Sequence, residues 1–305
     1  MNALVPQHHD GLGQLKLLVL DTVAARNSKR AYDRALQDFL DWYATQPHRG
    51  FTKAAVQGYR STLDAKGYAP STINVRMTAI RRLAAEAADN GLMSPELAAG
   101  IGRVKGARIV GQRTGRWLTR EEAEKLIGLP DASTLKGKRD RALLGLLIGT
   151  GLRRDEAANL GMDRIQQRDG RWALIDIVGK SGHVRTVPMP GWAKSLIDTW
   201  AHAAGIQDGC VFRPLNKAGK LIGDRMTDQT VYDLLGYYTA KAGVIAAPHD
   251  LRRTFAKLCH KGGSPLEQIQ LSLGHQDIAT TMRYLGVKQN LEDAPCDRLG
   301  LQVNP

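Results

Sequence analysis

The chain has 305 residues, enough for two domains with cores of their own, and carries 43 Lys+Arg against 30 Asp+Glu, a net charge of +13. An excess of that size points to a polyanionic partner, either nucleic acid or an acidic membrane surface. No run of about 18 apolar residues occurs, "MNALVPQHHD" lacks a signal-peptide pattern, and Cys210, Cys259 and Cys296 are scattered without a C-x-x-C pair; a membrane-spanning, secreted or zinc-stapled chain is set aside, and a soluble cytoplasmic protein is expected.

In chain order, an opening helical segment is expected near residues 11–24. "NSKRAYDRALQDFLDWYATQ" follows with an Asn27 or Ser28 cap, then "TKAAVQGYRSTLDAKG" from Thr52 to a stop at Gly67. "STINVRMTAIRRLAAEAADNG" runs from Ser71 to Gly91. Ile73, Met77, Ile80, Ala84 and Ala87 line one face of it, with Arg82 opposite and Arg76 and Arg81 flanking. These segments predict a four-helix unit over residues 1–100. Its arginines either follow a phosphate backbone or only solvate the surface. Residues 101–116, "IGRVKGARIVGQRTGR", hold five basic residues, four glycines and no acid, which reads as a flexible basic linker. Divided near residue 108, the two sides carry net charges of +6 and +7. Two basic domains on a basic hinge suggest a clamp around a duplex.

From residue 117 to 289, helix signals alternate with one hairpin. "GLLIGTGLRRDEAANLG" is an apolar helix that breaks at Gly149 and Gly151 and restarts with Arg153 in a first turn. Glu156, three residues on, shares its face and can hold the guanidinium. In "WALIDIVGKSGHVRTVPM" two β-rich runs flank a Gly179-Lys180-Ser181-Gly182 turn, with Lys180 at the tip. "PHDLRRTFAKL" opens a helix at Pro248 whose core face carries Leu251, Phe255 and Leu258; His249 and Arg252 share a face roughly a third of a turn from that core. In "SPLEQIQLSLG", Ser264 caps a short helix, Glu267 completes a capping box, and Leu266, Ile269 and Leu273 form its stripe before a stop at Gly274. Asp277 caps the next helix. His275 thus lies in a helix–helix corner, and Tyr284 about two turns into the second helix. Residues 290–305 form a tail whose Leu291, Leu299 and Leu301 are too few for a core of their own.

Singly, each feature has an ordinary structural reading: an Arg–Glu surface pair, a turn lysine, a solvated His/Arg face, a core tyrosine. Together, "TGLRRDE", "GKSGHVRTVP", "HDLRRTFA" and "LGHQDIATTMRY" occur in an order that resembles the motifs of the tyrosine recombinase (phage integrase) family. The likeness covers roughly residues 117–286, and the helical first half resembles that family's core-binding domain. It implies an all-α four-helix core-binding domain followed by a mainly α catalytic domain with a small antiparallel β-sheet. By the same resemblance Tyr284 is the nucleophile, Arg153 and Arg252 hold the scissile phosphate, and Lys180 is the general acid. His249 and His275 are the remaining catalytic histidines, and Glu156 is a supporting acid.

The chemistry asks for these residue types. Attack on a phosphodiester builds negative charge, which bidentate arginines and histidine donors stabilise. A phenol ionises near pH 10, so it needs cations and a base to become a nucleophile; His249 is the candidate base. A 3′-phosphotyrosyl ester keeps the bond energy, so no cofactor, ATP or metal is called for, and neither a P-loop nor a carboxylate cluster is visible. The implied partner is double-stranded DNA with paired recombination sites, bound by a homotetramer through a four-way junction. Two other readings stay open: a type IB topoisomerase-like nicking-closing enzyme, and a DNA-binding regulator without chemistry.

Overall fold

The computed structural model describes residues 9–46, 50–108, 115–179 and 182–286. It divides into two compact units, residues 1–112 and 113–305. Among the described residues no helix is long and apolar enough to cross a membrane.

The first unit has five described helices: α1 (His9–Asp21), α2 (Arg26–Ala44), α3 (Lys53–Ala65), α4 (Pro70–Asp89) and α5 (Pro95–Gly102). The expected face of α4 is buried at Ile73, Met77, Ile80, Ala84 and Ala87, and α4 touches the other four helices. Phe39 and Tyr59 meet edge to face at 5.2 Å between α2 and α3, the favoured geometry of aromatic quadrupoles. Thr52 caps α3 as expected, accepting from Ala55 N. Two expected starts differ. Backbone begins to coil at Arg26, ahead of Asn27 and Ser28, and at Pro70, ahead of Ser71; neither helix has a side-chain cap. Proline with its fixed φ is already suited to a first helical position, which explains the second case.

The fifth helix lies partly in the stretch whose composition suggested a linker. Ile101 and Val104 are buried in the first core, because two apolar side chains outweigh the polar surroundings that composition averages over. The flanking arginines of α4 are also committed internally. Arg76 is buried, pairs with Asp38 at 2.6 Å and donates to Tyr59 Oη at 3.1 Å. Arg81 donates to the carbonyl of Val104. Arg82 is exposed.

The second unit is built on α7 (Leu135–Thr150), whose second half is apolar and buried at Leu143, Leu144, Leu146 and Leu147 and whose first half buries the Arg139–Asp140 ion pair. Around it lie α6 (Arg120–Gly128), α8 (Arg154–Ala158), α9 (Gly191–Ala204), α10 (Asp228–Ala242) and α11 (Pro248–Lys261). Gly149 does not break α7. A Cβ there would come within 3.0 Å of Trp192, so this glycine lets α9 approach closely. The break is at Gly151, whose left-handed φ of 63° ends the helix.

The sheet has three antiparallel strands in order β1 (Ile165–Arg168), β2 (Arg171–Val178) and β3 (Val184–Pro188). β2 and β3 are the expected hairpin, in register at Leu174↔Val187 and Val178↔Val184 with a bulge between. The short, polar "IQQR" of β1 carried no strand signal of its own. The chain then runs through α12 (Leu266–Leu273) and α13 (Ile278–Leu285), joined by a tight corner. Asp277 caps α13 by accepting from Ala279 N at 2.9 Å. Ser264 and Glu267 do not cap α12, which starts at Leu266 after Pro265. Ile269, Leu273, Ala256 and Leu285 bury one another in a small separate core on which Tyr284 packs.

Candidate active site

The second unit brings the motif residues of α8, α11, α12 and α13 to one place. Arg252 is the most buried of them, only 1% exposed. The sequence placed it roughly a third of a turn from the apolar stripe, and the structure buries it. Its guanidinium donates to the carbonyl of Gly151 at 2.7 Å and to the carbonyl of Leu273. These are terminal carbonyls of α7 and α12, which helical bonding leaves unpaired and which carry the negative ends of two helix dipoles. That environment lets a cation be buried without an acidic partner. Its Nε has no hydrogen-bond partner among the described residues. Burial, with Arg153 nearby, lowers its pKa to about 9.

Arg153 is the residue just before α8 rather than inside its first turn. Glu156 holds it twice, accepting from its backbone N at 2.8 Å and from Nη1 at 2.7 Å. The same carboxylate accepts from both Nη atoms of Arg185 on β3, at 3.0 and 2.8 Å. Burial alone would raise the Glu156 pKa, but the hydrogen bonds from Arg185 and Arg153 bring it down to about 2. Arg185 Nε also donates to Ser272 O at 3.0 Å, joining β3 to the end of α12. Sequence reading did not single out Arg185. The signal was present: it lies two residues before the buried Val187, so period-2 alternation turns this charge inward, where it needs a partner.

Tyr284 lies against both histidines. Its ring centroid is 5.5 Å from that of His249 and 5.4 Å from that of His275, edge to face in each case. Its hydroxyl donates to the backbone carbonyl of His249 at 3.1 Å. Burial raises the phenol pKa, while Arg252, Arg253 and Arg153 pull it the other way. Burial and the neighbouring arginines lower the pKa of His249, and they lower that of His275 to about 4. Both imidazoles are therefore neutral at pH 7. His275 Nδ1 lies 2.9 Å from the hydroxyl of Thr281, a fully buried residue one turn before Tyr284. Arg153, Glu156, His249, Arg252, His275 and Tyr284 thus form one cluster. Lys180 falls outside the described residues, as does the tail from residue 290. Among the described residues no group of three His, Cys, Asp or Glu side chains is placed to hold a metal ion.

Residues 116–290 match the model of the phage integrase family, and residues 15–91 match that of the phage integrase N-terminal SAM-like domain. The chain belongs to the phage integrase family. It is 30% identical over 282 residues to the tyrosine recombinase XerD of Vibrio cholerae serotype O1, covering 86% of each chain. It is 27% identical over 260 residues to the tyrosine recombinase XerC of Pseudomonas putida strain W619, covering 83% of each. Its fold is similar to that of the XerH site-specific recombinase bound to a palindromic difH substrate, with a TM-score of 0.69 at 20% identity, covering 87% of this chain and 78% of that one. It is also similar to a lambda integrase dimer bound to a COC' core site, with a TM-score of 0.68 at 16% identity and 98% of each chain covered. This phage integrase family member is thus a site-specific recombinase of the tyrosine type, with two domains and a mainly helical fold. Its cluster adds Arg185, Thr281 and Arg253 to the residues that the motifs brought forward.

Proposed function

We propose that the enzyme cleaves double-stranded DNA at paired recombination sites through a 3′-phosphotyrosyl intermediate on Tyr284. The observation that carries this reading is the placement of the phenol: it lies against two neutral histidines and within the field of Arg153 and Arg252. Those arginines hold the scissile phosphate and stabilise the charge on its nonbridging oxygens. If the Thr281 hydroxyl donates to Nδ1 of His275, the proton of that ring sits on Nε2, which makes His275 a further phosphate donor. Tyr284 Oη attacks phosphorus, the bond to the 5′ oxygen breaks, and Lys180 protonates the leaving alkoxide. His249 takes the phenol proton. At present the hydroxyl is bonded to the His249 carbonyl, so transfer to the imidazole requires the hydroxyl to turn away from that carbonyl. Rejoining is the reverse attack by a 5′ hydroxyl, in line with a reaction that needs no cofactor. The assembly in this reading is a homotetramer, with residues 290–305 of one subunit docked on the next. The site of action is the cytoplasm, on nucleoid DNA.

The test is Tyr284→Phe on a nicked suicide substrate. The ring and its contacts remain and only the nucleophilic oxygen goes, so binding to the site should be unchanged and no covalent protein–DNA adduct should appear on a denaturing gel. An adduct formed by this variant sinks the assignment.

A further inference from the structure

Arg253, next to the buried Arg252, takes a different path. Its guanidinium lies over the face of the Tyr284 ring, 4.6 Å from the centroid. Asp250, one turn earlier, lies 3.4 Å from its Nη1. Its Nε is buried with no hydrogen-bond partner among the described residues. Behind it stands residue 115: a Cβ on Gly115 would come within 1.3 Å of Arg253 Nη1, and Gly115 has a left-handed φ of 66°. The chain that follows is fastened along the same helix. Leu118 N donates to Thr254 Oγ1 at 2.9 Å, and Lys257 Nζ lies 4.4 Å from the centre of the Trp117 ring. Residues 115–118 thus form a strap along α11 that closes the space behind the Arg253 guanidinium.

We propose that Arg253 is a positioning residue for the nucleophile, held by this strap so that its guanidinium orients the Tyr284 ring and favours the phenolate. The inference rests on Tyr284 being the nucleophile. A cation over an aromatic face is attracted to the neutral ring and more strongly to its anion, so the same contact both orients and activates. The charged and titratable groups facing the phenol are His249, Asp250, Arg252 and Arg253 from α11, Arg153 from the start of α8, and His275 from the corner. Of these, Arg253 places its guanidinium over the ring, 4.6 Å from the centroid.

The experiment is single-turnover cleavage of a suicide substrate by the full-length protein across pH, with site affinity measured in parallel. Arg253→Met keeps the bulk and removes the charge; Arg253→Lys restores the charge without the planar fork. With Met, cleavage should slow on the order of tenfold, the size of a partly desolvated cation–π contact. The rise of rate with pH should also move to higher pH, with affinity unchanged, and Lys should recover most of the pH position. Gly115→Ala should give a defect of the same kind that disappears in the Arg253→Met background, since both act through one guanidinium. Three outcomes overturn the proposal: an unshifted pH profile with Met, a loss confined to affinity and its salt dependence, or full additivity of the Gly115 and Arg253 changes. An adduct in Tyr284→Phe overturns the underlying reading instead, so the two failures are told apart.

Discussion

In the proposed reaction Arg252 and Lys180 are both cations at one phosphate, with different roles. Arg252 is fixed by the carbonyls of Gly151 and Leu273, so its charge is pre-placed and costs no ordering when the transition state forms. Lys180 belongs to the Gly179-Lys180-Ser181-Gly182 stretch, which the sequence reads as a turn between two strands. A turn-tip lysine can be a general acid or a plain phosphate contact, and the two roles fail differently. If it is the acid, Lys180→Ala loses the proton for the 5′ oxygen, a loss confined to the chemical step. A substrate with sulfur at the bridging 5′ position leaves as a thiolate and needs no such proton. Lys180→Ala should therefore cleave normal DNA very slowly and the 5′-thio substrate nearly as fast as wild type. Arg153→Ala and Arg252→Ala should gain far less from sulfur, because they act on the nonbridging oxygens. A lysine variant equally slow on both substrates is a binding variant. The motif order brought Arg153, Lys180 and Arg252 forward in sequence. Arg252's burial was not visible, because its partners are backbone carbonyls of Gly151 and Leu273, more than 100 and about 20 residues away.

Elements meet at the Glu156 carboxylate. It joins the start of α8 to β3, and Arg185 carries the link on to the last turn of α12 through Ser272. Sequence periodicity located α8, the hairpin and α12 separately, but nothing local could show that one carboxylate ties them together. The same limit applies to β1, which is a strand only because β2 pairs with it, and to α12, where Pro265 displaced Ser264 from the cap. Apolar stripes were legible at the α4 face and at Ile269 and Leu273, all buried, while Phe255 and Leu258 on α11 and Leu266 on α12 are only half-buried. The junction has a pH signature. The folded pKa of Glu156 is about 2 against an ordinary 4.5, so the charged form is favoured by folding. Its stabilisation is complete above the unfolded value and drains away as pH falls from 4.5 towards 2. Glu156→Gln cannot make this contribution. Wild type should exceed it in unfolding free energy by on the order of 3 kcal/mol at pH 7, with the gap narrowing steadily below pH 4.5. Denaturant titrations from pH 7 to 3 measure it; a gap independent of pH contradicts the assignment.

At the scale of the whole molecule, composition spoke first and stands closest to function. Two compact units each have a buried core, and the first of them takes in α5, whose last two residues fall in the stretch that composition suggested as a linker. The proposed docking between subunits is tested on the tail. With residues 290–305 deleted, single-site binding should persist while paired-site complexes and recombination are lost in gel-shift and recombination assays; normal synapsis by the truncated chain would rule out docking between subunits. Charge supplies the remaining argument. The net excess of +13 is shared almost evenly, +6 over residues 1–108 and +7 over residues 109–305, so neither half acts as a detachable basic tail. Each neutralised phosphate releases condensed counterions, and log affinity then falls with log salt at a slope of about −0.9 per phosphate contacted. If both units lie along the duplex, their slopes should be separable. The intact chain should weaken steeply between low and physiological salt. Each half, expressed separately with the division near residue 108, should bind more weakly and with a shallower slope, and the two slopes should together approach that of the whole. Arg76 and Arg81 are tied up internally, so replacing exposed Arg82 should reduce the first half's slope by about one contact at most. A single half that keeps the full slope would mean that one unit carries all the phosphate contacts, and the clamp would be wrong.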